Sequence, residues 1–365
     1  MLRWLRMLET GSNLRERCIG METKIKKENF GKNTYTRFAT KEDIEGIMKF
    51  IHDYWSENHI LAHDREIFEF QYVYGEEVCF VLSVDKDTEE IEGVLGYIPY
   101  DTEGERDIFT ALWKVKKSKT PFQGMDQLYF LEEQGRCRNL YCVGINEKTF
   151  SIYKYMKKKV AKLEHYYMLN DLEEYKIAVI QNKRILPSCS LNCEFTQVHD
   201  FEEFKQIYSS LEQGAPQKSL KYLERRYFLH PEYEYVIYHI RYDEKAAVIV
   251  GRIQECNGRS VYRIMDFIGA EECFAAAGSS LRGIMEQEGY EYIDLYVYGM
   301  KEETLQAAGF VQLTGEEENI IPNYFEPFVR ENIDINIFLP LNVKARMFKG
   351  DGDQDRPNFR KKRKG

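Results

Sequence analysis

Asn139–Lys159, NLYCVGINEKTFSIYKYMKKK, is an apolar strand run followed by a short helix closed by lysines. The same pair recurs at residues 292–310 as YIDLYVYG and KEETLQAAGF. Outward from each pair the chain repeats itself in the order of its elements. A helical segment precedes each, QGMDQLYFLEEQ (123–134) in one case and AGSSLRGIMEQEG (277–289) in the other. Three strand runs precede each helix. They are VCFVLSVD, EIEGVLGYIPYD and DIFTALWKV in the first half, and YEYVIYHIRY, KAAVIVGRIQ and SVYRIMDFIG in the second.

Each half also opens alike. TYTRF is followed by Thr40-Lys41-Glu42-Asp43, a hydroxyl at a helix start with an acid three residues on. Ile44, Ile47, Met48, Ile51 and Trp55 then fall on one helical face. CEFTQV is followed by Asp200-Phe201-Glu202-Glu203 and by a stripe of Phe201, Phe204, Tyr208 and Leu211. KLEHYYMLN and the run around INIFLP are expected to close the two copies, with a polar, breaker-rich joint, QNKRILPSCSLN, at 181–192.

This order, strand, helix, three antiparallel strands, helix, strand, helix, strand, resembles the acyl-CoA N-acyltransferase (GNAT) fold over residues 34–348. The fold class implied is α/β (α+β): two tandem GNAT folds, each a mixed, mostly antiparallel sheet flanked by helices. The resemblance rests most on Asn146, Thr149 and Tyr153, which hold the family's register, although Lys157 and Lys158 stand where it has Gly-Phe. The second copy keeps Gly309-Phe310 and carries Leu305 at the tyrosine position. The whole chain also looks like two-domain GNAT proteins encoded with bacterial surface-polysaccharide genes, through YWSENHILA (54–62), GYIPYD and FKGDGDQDRPN.

The domains read as an extension at 1–33, an N-terminal GNAT domain at 34–180, the linker at 181–192, a C-terminal GNAT-like domain at 193–348 and a charged tail at 349–365. A length of 365 residues with 43% hydrophobic content supplies two cores. The net charge of -9 argues against a general nucleic-acid binder. None of the eight cysteines forms a CxxC pair, which leaves buried thiols in a reducing, cytoplasmic setting as the expectation and no metal. No apolar run is long enough to cross a bilayer, so no membrane insertion is expected.

The resemblance implies acetyl-CoA, or another acyl-CoA, as co-substrate and a small-molecule amine or amino-sugar as acceptor, with no nucleic acid as partner. In that family a loop entering a helix cradles the pyrophosphate through backbone N–H groups, where glycine permits close approach. The matching residues are Thr120, Phe122, Gln123, Gly124 and Met125, among the basic neighbours Lys114, Lys116, Lys117 and Lys119, with Asn146 at the next turn. The corresponding loop of the second copy carries Glu271 and Glu272, which would repel a pyrophosphate.

Tyr153 holds the position of the acid that protonates the leaving thiolate, and it is equally a candidate packing residue. Glu92, Asp101 and His165 are the candidate bases of the first copy. Asp266 lies in the apolar run VYRIMDFIG, where an acid must be paired or functional, so either an ion pair with Arg263 or a grip on an amino-sugar is expected. Asn323, Tyr324 and Glu326 could line an acceptor pocket or shape a tight loop. The alternating Asp351, Asp353 and Asp355 lack the glycine and distant glutamate of a calcium loop. The segment from Phe348 to Asn358 is expected to be ordered, its acids paired with arginine or lysine, and the following basic KKRKG to be solvated. Two other readings remain: a Fem-type aminoacyl transferase, and a non-catalytic binding subunit that keeps the fold.

Overall fold

The computed structural model describes residues 33–116, 122–189, 191–316 and 318–360. The first half contains β1 (Thr34–Ala39), a two-residue β2 (Val73–Tyr74), β3 (Glu77–Asp85), β4 (Ile91–Pro99), β5 (Arg106–Val115), β6 (Cys137–Val143) and β7 (Lys158–Leu169). Its helices are α1 (Ile44–Tyr54), α2 (Ile60–His63), α3 (Arg65–Tyr72), α4 (Gln123–Gln134) and α5 (Phe150–Tyr155). The second half has β8 (Glu194–Val198), β9 (Val236–Tyr242), β10 (Lys245–Cys256), β11 (Arg259–Gly269) and β12 (Tyr292–Tyr298). The short β13 (Val311–Gln312), β14 (Tyr324–Phe325) and β15 (Phe328–Val329) follow, then β16 (Ile335–Pro340) and β17 (Met347–Phe348). Its helices are α6 (Phe201–Tyr208), α7 (Leu220–Leu223), α8 (Glu271–Ala276), α9 (Gly278–Glu288) and α10 (Glu302–Ala307). Among the described residues no helix is long and apolar enough to cross a membrane.

Local chemistry explains the elements. Thr40 and Asp43 form the capping box ahead of α1, and Asp200 accepts the Glu203 N–H at 2.9 Å ahead of α6. Ile44, Ile47, Met48 and Ile51 are buried, but Trp55 is 45% exposed because α1 ends before it. In each half the one parallel strand pair, β5 with β6 and β11 with β12, is joined by a helical crossover, as parallel pairing requires.

The strands run in the order β1-β3-β4-β5-β6-β16-β7-β12-β11-β10-β9-β8, so the sheet is continuous across both halves. The expected closing strands are exchanged. β16, from the end of the chain, lies between β6 and β7 in the first half, pairing Ile337 with Val143 and Ala161. β7 pairs with β16 over Lys158–Leu163, then crosses into the second half, where Glu164–Leu169 pair with β12. KLEHYYMLN therefore belongs mainly to the second half's sheet and INIFLP to the first. Apolar alternation specifies which face of a strand is buried, and both strands satisfy it in either place.

The parallel pairs also differ. β5 and β6 pair from Arg106 with Cys137 as far as Thr110 with Cys142, after which β5 continues to Val115 beside β4 alone. β11 and β12 pair only from Tyr262 with Ile293 to Ile264 with Leu295, and β17 then enters the opening. Phe348 and Met347 pair with Val297 and Tyr298 of β12, while Gly350 donates its N–H to the Met265 carbonyl of β11.

Candidate functional site

The opening beyond Thr110 and Cys142 is bounded by the start of α4 on one side and by α5 on the other. Phe122 takes a left-handed backbone, φ 68°, and turns the chain sharply into α4. Gln123 is buried, and neither atom of its amide has a hydrogen-bond partner among the described residues. Met125 is buried one turn into the core. Asp126 follows, its carboxyl pushed up to about 7 by burial. Thr120, and the basic residues Lys117 and Lys119, lie outside the described residues.

A Cβ on Gly124 would meet the Trp113 ring at 2.6 Å, so the space this glycine leaves is filled by that indole. Trp113 donates to Gln127 Oε1 at 3.2 Å and faces Tyr153 with 6.1 Å between ring centroids. Tyr153 also packs on Phe338 at 4.3 Å, and burial pushes its phenol well above the ordinary tyrosine range. Phe338 belongs to β16, so the exchanged strand supports the tyrosine. Asn146 caps the turn into α5, its side chain accepting from Lys148 N–H at 3.0 Å. After α5 the chain turns at Lys157 with φ 57°, where the second half has Gly309 with φ 96°. The left-handed turn that the second half makes with a glycine is thus made in the first half without one.

The first half's candidate bases lie elsewhere. Glu92 pairs with Lys116 at 2.9 Å, and Asp101 accepts the Thr102 N–H at 2.7 Å. His165 sits in the part of β7 that has crossed over, with Nε2 2.8 Å from Asp294 and its ring stacked on Tyr296 at 3.9 Å.

Asp266 is fully buried, but its partner is not Arg263. Lys218 Nζ contacts both of its oxygens at 2.7 Å, the Tyr227 hydroxyl donates at 2.7 Å and the Phe267 N–H at 2.9 Å. Arg263 instead binds Asp294, which lies opposite it in the β11–β12 register, at 2.6 Å. In the second half Glu271 accepts from the Lys301 N–H and the Thr304 hydroxyl, capping α10, and Glu272 pairs with Lys245. Both carboxylates are thus engaged within the second half, and the strand opening beside them is filled by β17.

The charged tail crosses between the halves. Asp351 pairs with Lys218 at 2.8 Å, Asp353 with Arg356 at 2.7 Å, and Asp355 with Arg252 at 2.6 Å. Arg252 and Arg226 hold the Asp355 carboxyl well below its ordinary value although burial opposes them. A polar cavity of about 90 Å³ opens along this segment, and Asn323, Tyr324 and Glu326 do line it, beside Arg252, Lys349 and Gln354. Gln354 also reaches the Val143 carbonyl at 3.5 Å and fills the space above Gly144, at the end of β6. Trp113, Lys349 and Gln354 were not singled out by the sequence. The one signal was that Lys349 and Gln354 fall within the distinctive FKGDGDQDRPN.

The chain is similar to a conserved protein of unknown function from Enterococcus faecalis V583 described as a probable N-acyltransferase. Identity is 10% and the TM-score 0.50, over 83% of this chain and 72% of that one. It is also similar to a GCN5-related N-acetyltransferase from Anabaena variabilis ATCC 29413, at 13% identity and a TM-score of 0.49, over 84% and 72% of the two chains. No protein-family model matches the sequence, and no curated protein matches it. At such identities likeness speaks to fold. Strand order and the Enterococcus likeness together give two tandem GNAT folds that share one sheet.

Proposed function

We propose that the protein transfers an acyl group from a CoA thioester, acetyl-CoA or another acyl-CoA, to an amine. The first half holds the thioester and the second half helps to form the acceptor pocket. One observation carries this reading: among the described residues no strand enters the parallel-strand opening of the first half, whereas that of the second is filled by β17. The start of α4 suits a pyrophosphate, because helix N-terminal N–H groups favour an anion and the buried Gln123 amide has donors in reserve. Thr120, Phe122, Gln123, Gly124 and Met125 would contact it, with Asn146 shaping the turn opposite.

In this reading the amine nitrogen attacks the thioester carbonyl carbon. A C–N bond forms, the C–S bond breaks, and the proton lost by nitrogen ends on sulfur. Tyr153, kept protonated by burial, donates a hydrogen bond to the departing sulfur. Asp266, fixed by Lys218 and Tyr227, acts by holding the acceptor wall rather than by moving a proton. We take an amino-sugar of surface-polysaccharide synthesis as the acceptor, on family resemblance. The reading of a non-catalytic subunit draws on Gly124, whose space Trp113 fills.

Melting the full chain with and without CoA tests the proposal. CoA at 100-fold its Kd adds about 2.7 kcal/mol of stability. Gln123→Met, which replaces an unpartnered buried amide by an apolar chain, should remove that protection without lowering the unliganded melting temperature. No protection in the wild type sinks the acyl-CoA reading.

A further inference from the structure

We infer that the cavity between β10, Asn323 and the Lys349–Asn358 segment is an anion-binding site that seats a carboxylate or phosphoryl group of the acceptor. The inference deepens the acyl-transfer reading and rests on it for the word acceptor. It rests on the cavity itself for the word anion.

The first ground is an unmatched cation. Lys349 is 3% exposed, donates to Asn323 Oδ1 at 2.5 Å, and stands 5.6 Å from the rings of Tyr296 and Tyr324. The neighbouring Arg252, Arg356 and Arg263 each have a carboxylate within 2.7 Å, in Asp355, Asp353 and Asp294. Lys349 has none within ion-pair distance among the described residues. A buried ammonium without a counter-ion is costly unless something brings one.

The second ground is a surplus of donors on the cavity wall. Arg252 Nε, Arg356 Nε and Asn323 Nδ2 are buried with no partner among the described residues, three donors against the acceptor Gln254 Oε1 and the carboxylate of Glu326, which also lines the cavity. A ligand rich in acceptor oxygens answers both imbalances. About 90 Å³ holds several waters, which matches one carboxylate or phosphoryl group and is too small for a whole nucleotide. Gln354 lines the same cavity and meets Val143 and Gly144 at the end of β6, so a group seated here lies one side chain from the opening beneath Tyr153.

Proton linkage gives the test its signature. Burial, with Arg263 and Arg252, pulls the Lys349 amine down to about 7, opposed by Asp355 and Asp294. His165 also faces it from the sheet below. An anion that binds the ammonium form must therefore bring a proton with it when it binds near neutral pH.

The experiment is calorimetric titration of the full chain with sodium sulfate and, separately, sodium acetate, at pH 6.5 and 8.5 in two buffers of different ionisation heat. Sulfate stands for a phosphoryl group and acetate for a carboxylate, and neither changes charge over this range. We expect saturable binding of at least one, with proton uptake and an affinity about tenfold weaker at pH 8.5. Lys349→Met should abolish binding while CoA protection remains, and Asn323→Ala should weaken it several-fold. Sulfate alone marks a phosphoryl acceptor and acetate alone a carboxylate. No saturable binding, or binding indifferent both to pH and to Lys349→Met, overturns the inference. CoA protection without anion binding leaves the acyl-transfer reading standing and removes this one. Anion binding without CoA protection does the reverse.

Discussion

Asp351 accepts the hydroxyl proton of Tyr100 at 2.7 Å, joining two residues 251 apart in sequence. The bond ties the charged tail to the β4–β5 connection of the first half. The same carboxylate meets Lys218, which also holds Asp266 of the second half. One ammonium thus sits between two carboxylates, all three fully buried or nearly so.

Lys218→Met should be severely destabilising. Breaking a buried ionic group by removing one partner costs about 3–5 kcal/mol, and here two carboxylates are left facing each other. Burial already raises the Asp351 carboxyl and Lys218 opposes that rise; without the ammonium it rises further, so the variant should regain stability as pH falls towards 5. Urea unfolding at pH 5 and pH 8 measures both effects. Equal losses at the two pH values would contradict the account.

Tyr153→Phe removes one oxygen and keeps the packing on Trp113 and Phe338. The transfer rate should fall by roughly 10²–10⁴-fold, with CoA affinity and melting temperature nearly unchanged. A comparable loss of stability would make the hydroxyl a structural partner only.

CoA should bind the first half alone. Glu271→Ala and Glu272→Ala remove the α10 cap and the Lys245 pair, so each should cost about 1 kcal/mol or less of stability and leave CoA affinity unaltered. Loss of CoA binding in either would reverse the assignment of the halves.

Lys349 predicts a pH dependence of stability with a definite sign. Its amine is down at about 7 in the folded chain and near 10.4 when unfolded, so between these values the unfolded state binds the extra proton. Stability from this group therefore rises with pH, by about 1.4 kcal/mol per unit, between pH 7 and 10. The wild type minus Lys349→Met difference should show that slope, since buried tyrosines and cysteines act equally on both proteins. A flat difference would place Lys349 in its charged form throughout.

Local chemistry was legible in the sequence. QGMDQLYFLEEQ coincides with α4, Gln123–Gln134, and INIFLP with β16, Ile335–Pro340, because periodicity and flanking breakers act within one segment. Neighbours across the sheet were not. Asp294 takes Arg263 because strand pairing sets them opposite, and nothing within VYRIMDFIG announces that. The same limit hid the exchange of β7 and β16 and the entry of β17 between β11 and β12. At the site, the register of Asn146 and Tyr153 pointed to α5. The role of Trp113 beside Gly124 needed the two elements brought together, and Lys349 needed its burial.

The exchange of β16 into the first half has a consequence during synthesis. Roughly 170 residues separate the end of β7 from the end of β16, and at 5–20 residues per second they take about ten to thirty seconds to emerge. Until then β6 and the first half of β7 lack their shared neighbour and present bare strand edges on a nascent chain. The first half therefore cannot reach its final form ahead of the second, and the period of greatest exposure to chaperones and to mispairing is set by the length of the intervening domain.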